Sequence, residues 1–324
     1  MVFPLQPMFP PMSKDYPSWM FRKFQNFQFC SSLVSFIRIF PLFSLIYTQA
    51  AGLIFLHSGF SLPSPAFAQT STNKTDSKVS HRLENFLIST EDRDDWTRLM
   101  LAILNSVPAV EQVLAQGVSV NIRGTEEFHG VTPLIFASGI GSLVIVKLLV
   151  EKGARLNDTD TQGNTALIQA AKKGHFETLQ YLLLQGANPN AETNQKWKAL
   201  MFAAHRGQFE VLKTLLKHGA RADFQDDLGM SSIMYAAQNG HFEIVLHLLK
   251  RGAKVDLASL NGSTALIWAI RAGHGNIAEL LLNAGAEINY LESEFQRSPL
   301  LLAAMYGRES TVKRLLSAGA NVEA

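Results

Sequence analysis

Glycine recurs at a fixed interval through most of the chain, and that interval constrains the fold more than any other feature. One series, Gly117, Gly153, Gly186, Gly219, Gly252, Gly285 and Gly319, steps by 36, 33, 33, 33, 33 and 34 residues. A second series, Gly141, Gly174, Gly207, Gly240, Gly273 and Gly307, steps by 33 four times and then by 34. Two ladders in phase identify an internal repeat. A period of this length signals a solenoid assembled from one supersecondary unit after another.

The unit is clearest between Thr165 and Asn190. Thr165-Ala166-Leu167-Ile168-Gln169-Ala170-Ala171 predicts a short helix, Lys172-Lys173-Gly174-His175 a turn, and Phe176 to Leu184 a second helix. Gln185-Gly186-Ala187-Asn188-Pro189-Asn190 leads into a hairpin. The Thr165 hydroxyl is placed to cap the first helix. Ala170 and Ala171 are small enough for neighbouring helices to approach closely. Gly174 and Gly186 fall at helix C-ends, where a left-handed residue closes the helix. Leucines of the second helix recur at i, i+3 and i+4 and mark a buried face. Helices this short are unstable alone, so each unit has to bury its faces against the next.

The period, the Gly-His turn and the Leu182-Leu183-x-x-Gly186-Ala187-x-x-Asn190 pattern together resemble the ankyrin repeat. The opening motif stands as Thr132-Pro133-Leu134-Ile135-Phe136-Ala137 and recurs as Thr165-Ala166-Leu167-Ile168 and Lys198-Ala199-Leu200-Met201. It recurs again as Ser231-Ser232-Ile233-Met234, Thr264-Ala265-Leu266-Ile267 and Ser298-Pro299-Leu300-Leu301, with a decayed copy from Thr97 to Ala102. The resemblance implies an all-α repeat solenoid with short β-hairpin loops, an ankyrin-like stack of about seven helix-turn-helix repeats. The repeat domain is expected over residues 93–324, divided near 93–123, 124–158, 159–191, 192–223, 224–256, 257–290 and 291–324.

This chain departs from the family pattern in three places. The family's His after Leu is replaced by Ile135, Ile168, Met201, Met234, Ile267 and Leu301, which predicts apolar helix starts and weaker hydrogen bonding between units. The first hairpin, Asn121 to Val131, carries about three extra residues, and Asn289 to Ser298 carries one. The sequence ends at Ala324, where another hairpin would start, so no dedicated C-terminal cap is expected.

Residues 1–68 differ in composition. They hold 12 of the 21 Phe and 8 of the 12 Pro but only five charges, and Leu42 to Leu56 is mostly apolar, as in a signal-peptide core. Basic residues precede that stretch, and Ala66-Phe67-Ala68 follows it as an A-x-A cleavage site. Cleavage after Ala68 and export to the periplasm or outside the cell are expected. The alternative is an uncleaved anchor over Leu42–Phe60. Residues 69–92 read as a polar tether with a short lead-in helix between Ser80 and Ser89. Loss of 1–68 leaves 25 Lys+Arg against 26 Asp+Glu, so the chain's excess of two positive charges belongs to the leader. Cys30, the single cysteine, leaves with it. The remainder then has no thiol for catalysis or zinc ligation.

Chemistry-bearing residues form no catalytic or metal pattern. His175, His241 and His274 occupy the Gly-His turn of their repeats, and His205, His218 and His247 form no His-x-x-x-His pair. No Walker loop, nucleophile elbow or His-Glu-x-x-His motif is present. Asp226 with Asp227, and Glu292 with Glu294, lie in predicted hairpins, where they read as solvated tip residues. Glu126, Glu127 and His129 in the irregular first hairpin are the place a hydrolytic site would have to sit. No enzyme activity, cofactor or metal is expected.

In the family, ligands usually meet the concave face formed by hairpin tips and the exposed sides of the first helices. Transferred by position, the resemblance gives Gln162, Gln195, Trp197, Leu228, Met230 and Asn261 on the hairpin side. At the first-helix C-ends it gives Lys172, Lys173, His205, Arg206, Gln238 and Arg271. Trp197 stands out between two lysines, as aromatic and Arg side chains are common binding anchors. Phe136, Phe202, Tyr235 and Trp268 share one repeat position and form either a surface ridge or a half-buried stripe. The basic cluster suggests an acidic partner surface. A monomeric, exported interaction scaffold for a partner protein is expected. A membrane-tethered scaffold and a secreted effector or enzyme inhibitor are the alternatives. Nucleic acid is not an expected ligand for a near-neutral exported chain.

Overall fold

Fourteen α-helices follow one another in pairs through the described part of the chain. A computed structural model of the protein describes residues 94–293 and 295–322. The leader, its cleavage site, the polar tether, the lead-in helix and Glu294 lie outside the described residues. The pairs are α1 (Asp95–Asn105) with α2 (Val107–Ala115), α3 (Pro133–Ile140) with α4 (Leu143–Glu151), and α5 (Ala166–Lys173) with α6 (Phe176–Leu184). Next come α7 (Ala199–His205) with α8 (Phe209–Lys217), and α9 (Ser232–Gln238) with α10 (Phe242–Lys250). The last are α11 (Ala265–Ala272) with α12 (Gly275–Asn283), and α13 (Pro299–Met305) with α14 (Glu309–Ser317). Each pair is one repeat, numbered 1 to 7. First helices stack on first helices and second helices on second helices.

The core runs unbroken through the stack. Ala170, Ala203, Ala236 and Ala269 are fully buried, which lets the first helices lie close together. Leu179, Leu212, Val245 and Leu281 do the same service on the second helices, each contributing about 1.5–3 kcal/mol by leaving water. At the positions that lack the family's His, Ile135, Ile168, Met201, Met234 and Ile267 are buried, as the apolar helix start predicts, whereas Leu301 in repeat 7 is exposed.

Hydrogen bonding between repeats is nevertheless regular. Asn121, Asn157, Asn190, Asp223, Asp256 and Asn289 each present Oδ1 to a backbone N–H of the next repeat, at 2.8 to 3.0 Å. The Gly-His turns add a second link. His175 Nε2 lies 3.1 Å from the Gly139 carbonyl oxygen, and His241 Nε2 lies 3.1 Å from that of His205. In repeat 7 Arg308 takes over this place and donates to the Arg271 carbonyl. The glycine of each preceding turn leaves room for the incoming ring. A Cβ on Gly207 would lie 2.7 Å from the His241 ring.

The predicted hairpins are minimal. Isolated bridges join Glu192 to Lys198 and Gln225 to Ser231, and no strand forms among the described residues. The tips are stitched in sequence. Thr161 N–H donates to His129 O, Asn194 N–H to Gln162 O, Asp227 N–H to Gln195 O and Leu260 N–H to Leu228 O. The extra residues of the first hairpin wind into a 3-10 turn over Glu126–Phe128, pinned where Phe128 packs 4.2 Å from the Trp96 ring. Trp96 Nε1 donates to Val131 O at 2.7 Å and ties this hairpin to α1.

Thr132, Thr165, Thr264 and Ser298 cap their helices by accepting from the N–H three residues on. Lys198 occupies the same position at α7 and makes no cap bond. Its buried ammonium pairs instead with Glu192 and sits 4.2 Å from the Phe224 ring centre. A cation at a helix N-terminus opposes the helix dipole. Lys198→Thr is therefore expected to raise stability by about 1 kcal/mol, measured as an upward shift of the urea midpoint. A downward shift would show that the Glu192 and Phe224 contacts outweigh the missing cap.

Candidate functional site

The hairpin tips and the C-ends of the first helices carry most of the residues assigned to partner binding. Gln162, Gln195 and Leu228 are exposed at successive tips. Lys173, His205 and Arg206 are exposed at helix ends, and Lys172 and Gln238 are partly exposed. Asn261 is also partly exposed, but its Oδ1 accepts from Ser259 Oγ and Ser263 N–H, so its carbonyl shapes the turn.

Three of the assignments change on folding. Met230 is only 4% exposed and belongs to the core, so it is removed from the binding face. The reason is local. Asp226 Oδ1 accepts from both Leu228 N–H and Met230 N–H at 2.9 Å, and this tight turn directs Met230 inward. Trp197 is partly buried rather than free, with its ring 4.7 Å from Phe202 and 4.5 Å from Tyr235. Arg271 is partly buried too. It donates to Ser263 Oγ at 3.0 Å and pairs with Glu292.

The stripe formed by Phe136, Phe202, Tyr235 and Trp268 is half-buried, except at Tyr235, which is buried. Around repeats 4 and 5 it becomes a continuous aromatic cluster. His205 lies edge-on to Trp197 at 5.9 Å and to Tyr235 at 5.7 Å. Lys172 Nζ lies 5.6 Å from the Phe202 ring centre. Desolvation beside Trp197 and Tyr235, followed by the charges of Arg206 and His241, holds the otherwise exposed His205 imidazole below its ordinary pKa. Burial also lowers Lys172, aided by Lys173 and Arg206 and opposed by Asp160. Like charges are therefore crowded at this point of the face.

The acidic hairpin residues are corrected as well. Asp226 is buried, and its Oδ2 accepts from the Tyr235 hydroxyl. Burial and this bond raise the Tyr235 pKa far above its usual value. Glu292 is 1% exposed and lies between Arg271 and Arg297. These carboxylates are interior braces rather than solvated tips, because Tyr235 of the following helix closes over Asp226, and Arg271 of the preceding first helix with Arg297 of the same hairpin close over Glu292. Asp227 is exposed and pairs with Lys196 at 3.4 Å. Glu126, Glu127 and His129 are exposed on the 3-10 turn. Among the described residues, no group of three His, Cys, Asp or Glu is placed to hold a metal ion. None of the described helices is long and apolar enough to cross a membrane.

Two features of the face escape the sequence reading. A third ladder of left-handed residues runs through the tips: Gly130, Gly163, Lys196, Gly229, Gly262 and Gln296. Its period is hidden because two of its members are not glycine. The other feature is that Leu228, which the sequence places on the binding face, begins a row of exposed apolar tip residues that continues through Leu260, Leu291 and Phe295. Leucine and phenylalanine where turns usually place polar residues was the available signal.

Comparisons with known proteins agree with this architecture. The family described as ankyrin repeats (3 copies) matches residues 99–193, 178–259 and 254–324. The solved ankyrin repeat domain from Acinetobacter baumannii AYE is similar, with a TM-score of 0.56 and 30% identity over 58% of this chain and 98% of that one. No curated protein matches the sequence. Ankyrin repeats are generally protein–protein interaction modules and generally non-enzymatic. With its seven helix pairs, its glycine ladders and family matches spanning 99 to 324, the chain belongs to the ankyrin-repeat family.

Proposed function

We propose that the protein is an exported, non-enzymatic scaffold that binds a partner protein across its hairpin tips and first-helix C-ends. The observation that carries this reading is the succession of exposed side chains that repeats 3 to 5 place along one face, Gln162, Lys173, Gln195, Arg206 and Leu228. A stack of this kind presents side chains from several repeats at once, as an extended interface requires. The buried positions of Asp226 and Glu292 support the non-enzymatic half, since both carboxylates are committed to internal bonds. Export rests on the apolar stretch Leu42 to Leu56 and the Ala66-Phe67-Ala68 site.

Capture of partners from the native envelope with tagged protein tests the binding half. The triple variant Gln162→Ala, Arg206→Ala, Leu228→Ala changes exposed side chains only. It is expected to weaken capture of the partner at least about tenfold, as loss of an Arg anchor does, while keeping the wild-type melting curve. Undiminished capture would overturn the assignment of the face. N-terminal sequencing tests export. Gln69 as the first residue supports cleavage, and a retained leader in the membrane fraction supports the tethered alternative.

A further inference from the structure

The binding face divides into two parts of different chemistry. In repeats 3 and 4 it carries Lys172, Lys173 and Arg206, and among the described residues no carboxylate forms an ion pair with them. Several other cations near the hairpins have acidic partners: Lys196 pairs with Asp227, Lys198 with Glu192, and Arg271 and Arg297 share Glu292. Lys172, Lys173 and Arg206 thus form a cluster of positive charge without an ion pair in repeats 3 and 4. The depressed Lys172 pKa, with Lys173 and Arg206 among its causes, reflects the same crowding. In repeats 5 to 7 the tips are apolar. Leu228 is 47% exposed, Leu260 76% and Phe295 54%. The row is continuous, since Leu260 N–H donates to Leu228 O at 2.9 Å and Gly262 lies against the backbone of Ser293 in the next hairpin.

We propose that this face takes an extended protein segment in two parts, a carboxylate-rich stretch over Lys172, Lys173 and Arg206 and an apolar stretch over Leu228, Leu260 and Phe295. The proposal rests on the partner-binding reading above and adds the chemistry of the partner. Carboxylates would relieve the repulsion among the cations, which among the described residues only Asp160 opposes, and without forming an ion pair. Apolar side chains would cover tips that otherwise stand in water. A nucleic acid would satisfy the cations but leave the leucine tips uncovered. The length is also set. Helices pack about 10 Å apart, so four repeat steps span about 40 Å, which about 12 extended residues cover.

Three labelled synthetic peptides test this with the full chain: an acidic block of about six Asp and Glu, an apolar block containing Leu and Phe, and the two joined in about 12 residues. The joined peptide is expected to bind at least about tenfold tighter than either block, because the second contact becomes intramolecular. Lys173→Glu with Arg206→Glu is expected to weaken the joined and acidic peptides about tenfold and spare the apolar one. Leu260→Asp is expected to do the reverse. Salt at 0.5 M should weaken the joined peptide on the wild-type chain more than on the charge-reversed variant, by screening. Equal binding of the joined peptide and the acidic block would overturn the two-part reading, as would indifference to the charge reversal. Tighter binding of a single-stranded oligonucleotide of similar length would overturn it in favour of nucleic acid. If the exposed-residue triple variant loses its captured partner while the joined peptide fails to bind, the face stands and its two-part chemistry falls. If neither responds, both readings fall.

Discussion

Gly229→Ala is expected to cost about 2–5 kcal/mol of unfolding free energy, against about 1–2 kcal/mol for Gly219→Ala. Both glycines are left-handed, with φ of +71° and +89°, so both substitutions incur the backbone penalty of an L-residue. They differ in what surrounds the added methyl. At Gly219 nothing lies within 4 Å. At Gly229 the Cβ would sit 2.8 Å from Leu260 N, 3.0 Å from Ser259 Cα and 3.1 Å from Ser259 C. These are backbone atoms of the next hairpin, with no flexible end to swing away. The tips must separate, which strains the Leu260 N–H bond to Leu228 O. Urea unfolding of the two variants reads the difference. Equal midpoints would show that the tips give way freely and that the left-handed backbone alone matters. The same substitution is expected to weaken an apolar ligand, because it displaces Leu228 and Leu260 relative to each other.

Glu292→Gln is expected to cost about 3 kcal/mol, since removing one partner of a buried ion pair strands the other. Glu292 is 1% exposed, and two guanidinium groups share its carboxylate, with Arg271 and Arg297 themselves 18% and 22% exposed. The neutral amide offers one acceptor where the carboxylate offered two, and leaves two partly buried cations without an anion. Because both arginines keep some contact with water, the cost should fall at the lower end of the range for such pairs. The double variant with Arg297→Gln should recover part of the loss, giving a coupling energy that the two single variants do not sum to. As a comparison, Glu309 pairs with Lys313 in the open at 2.6 Å, with side chains 80% and 74% exposed. Glu309→Gln is expected to change stability by less than about 0.5 kcal/mol. A Glu292→Gln variant no less stable than Glu309→Gln would remove the triad from the account of how repeats 6 and 7 hold together.

Much of the fold was legible because its determinants are local. The helix-end glycines, the Thr and Ser caps and the leucine spacing each act within a few residues, and the structure pairs the helices where those signals place them. The binding face was less legible. Met230 and Leu228 lie in one turn with similar hydrophobicity, yet the first is core and the second is surface. Sequence spacing does not distinguish them. Asp226 accepts from both N–H groups, and only the packed turn places one side chain in the core and the other at the surface. Trp197 reads as an anchor by composition but spends its ring on Phe202 and Tyr235, one of which comes from the following repeat.

The sequence by itself determined the period, the paired helices, the family and the left-handed glycines at the helix ends, because these follow from steric and apolar patterning within one unit. Only the tertiary structure decided which polar groups are covered. Asp226 lies beneath the Tyr235 hydroxyl and Glu292 between two arginines, while among the described residues Lys172, Lys173 and Arg206 form no ion pair. Burial of a charge depends on side chains that reach it across a turn or from a neighbouring repeat, and that proximity exists only once the units have stacked.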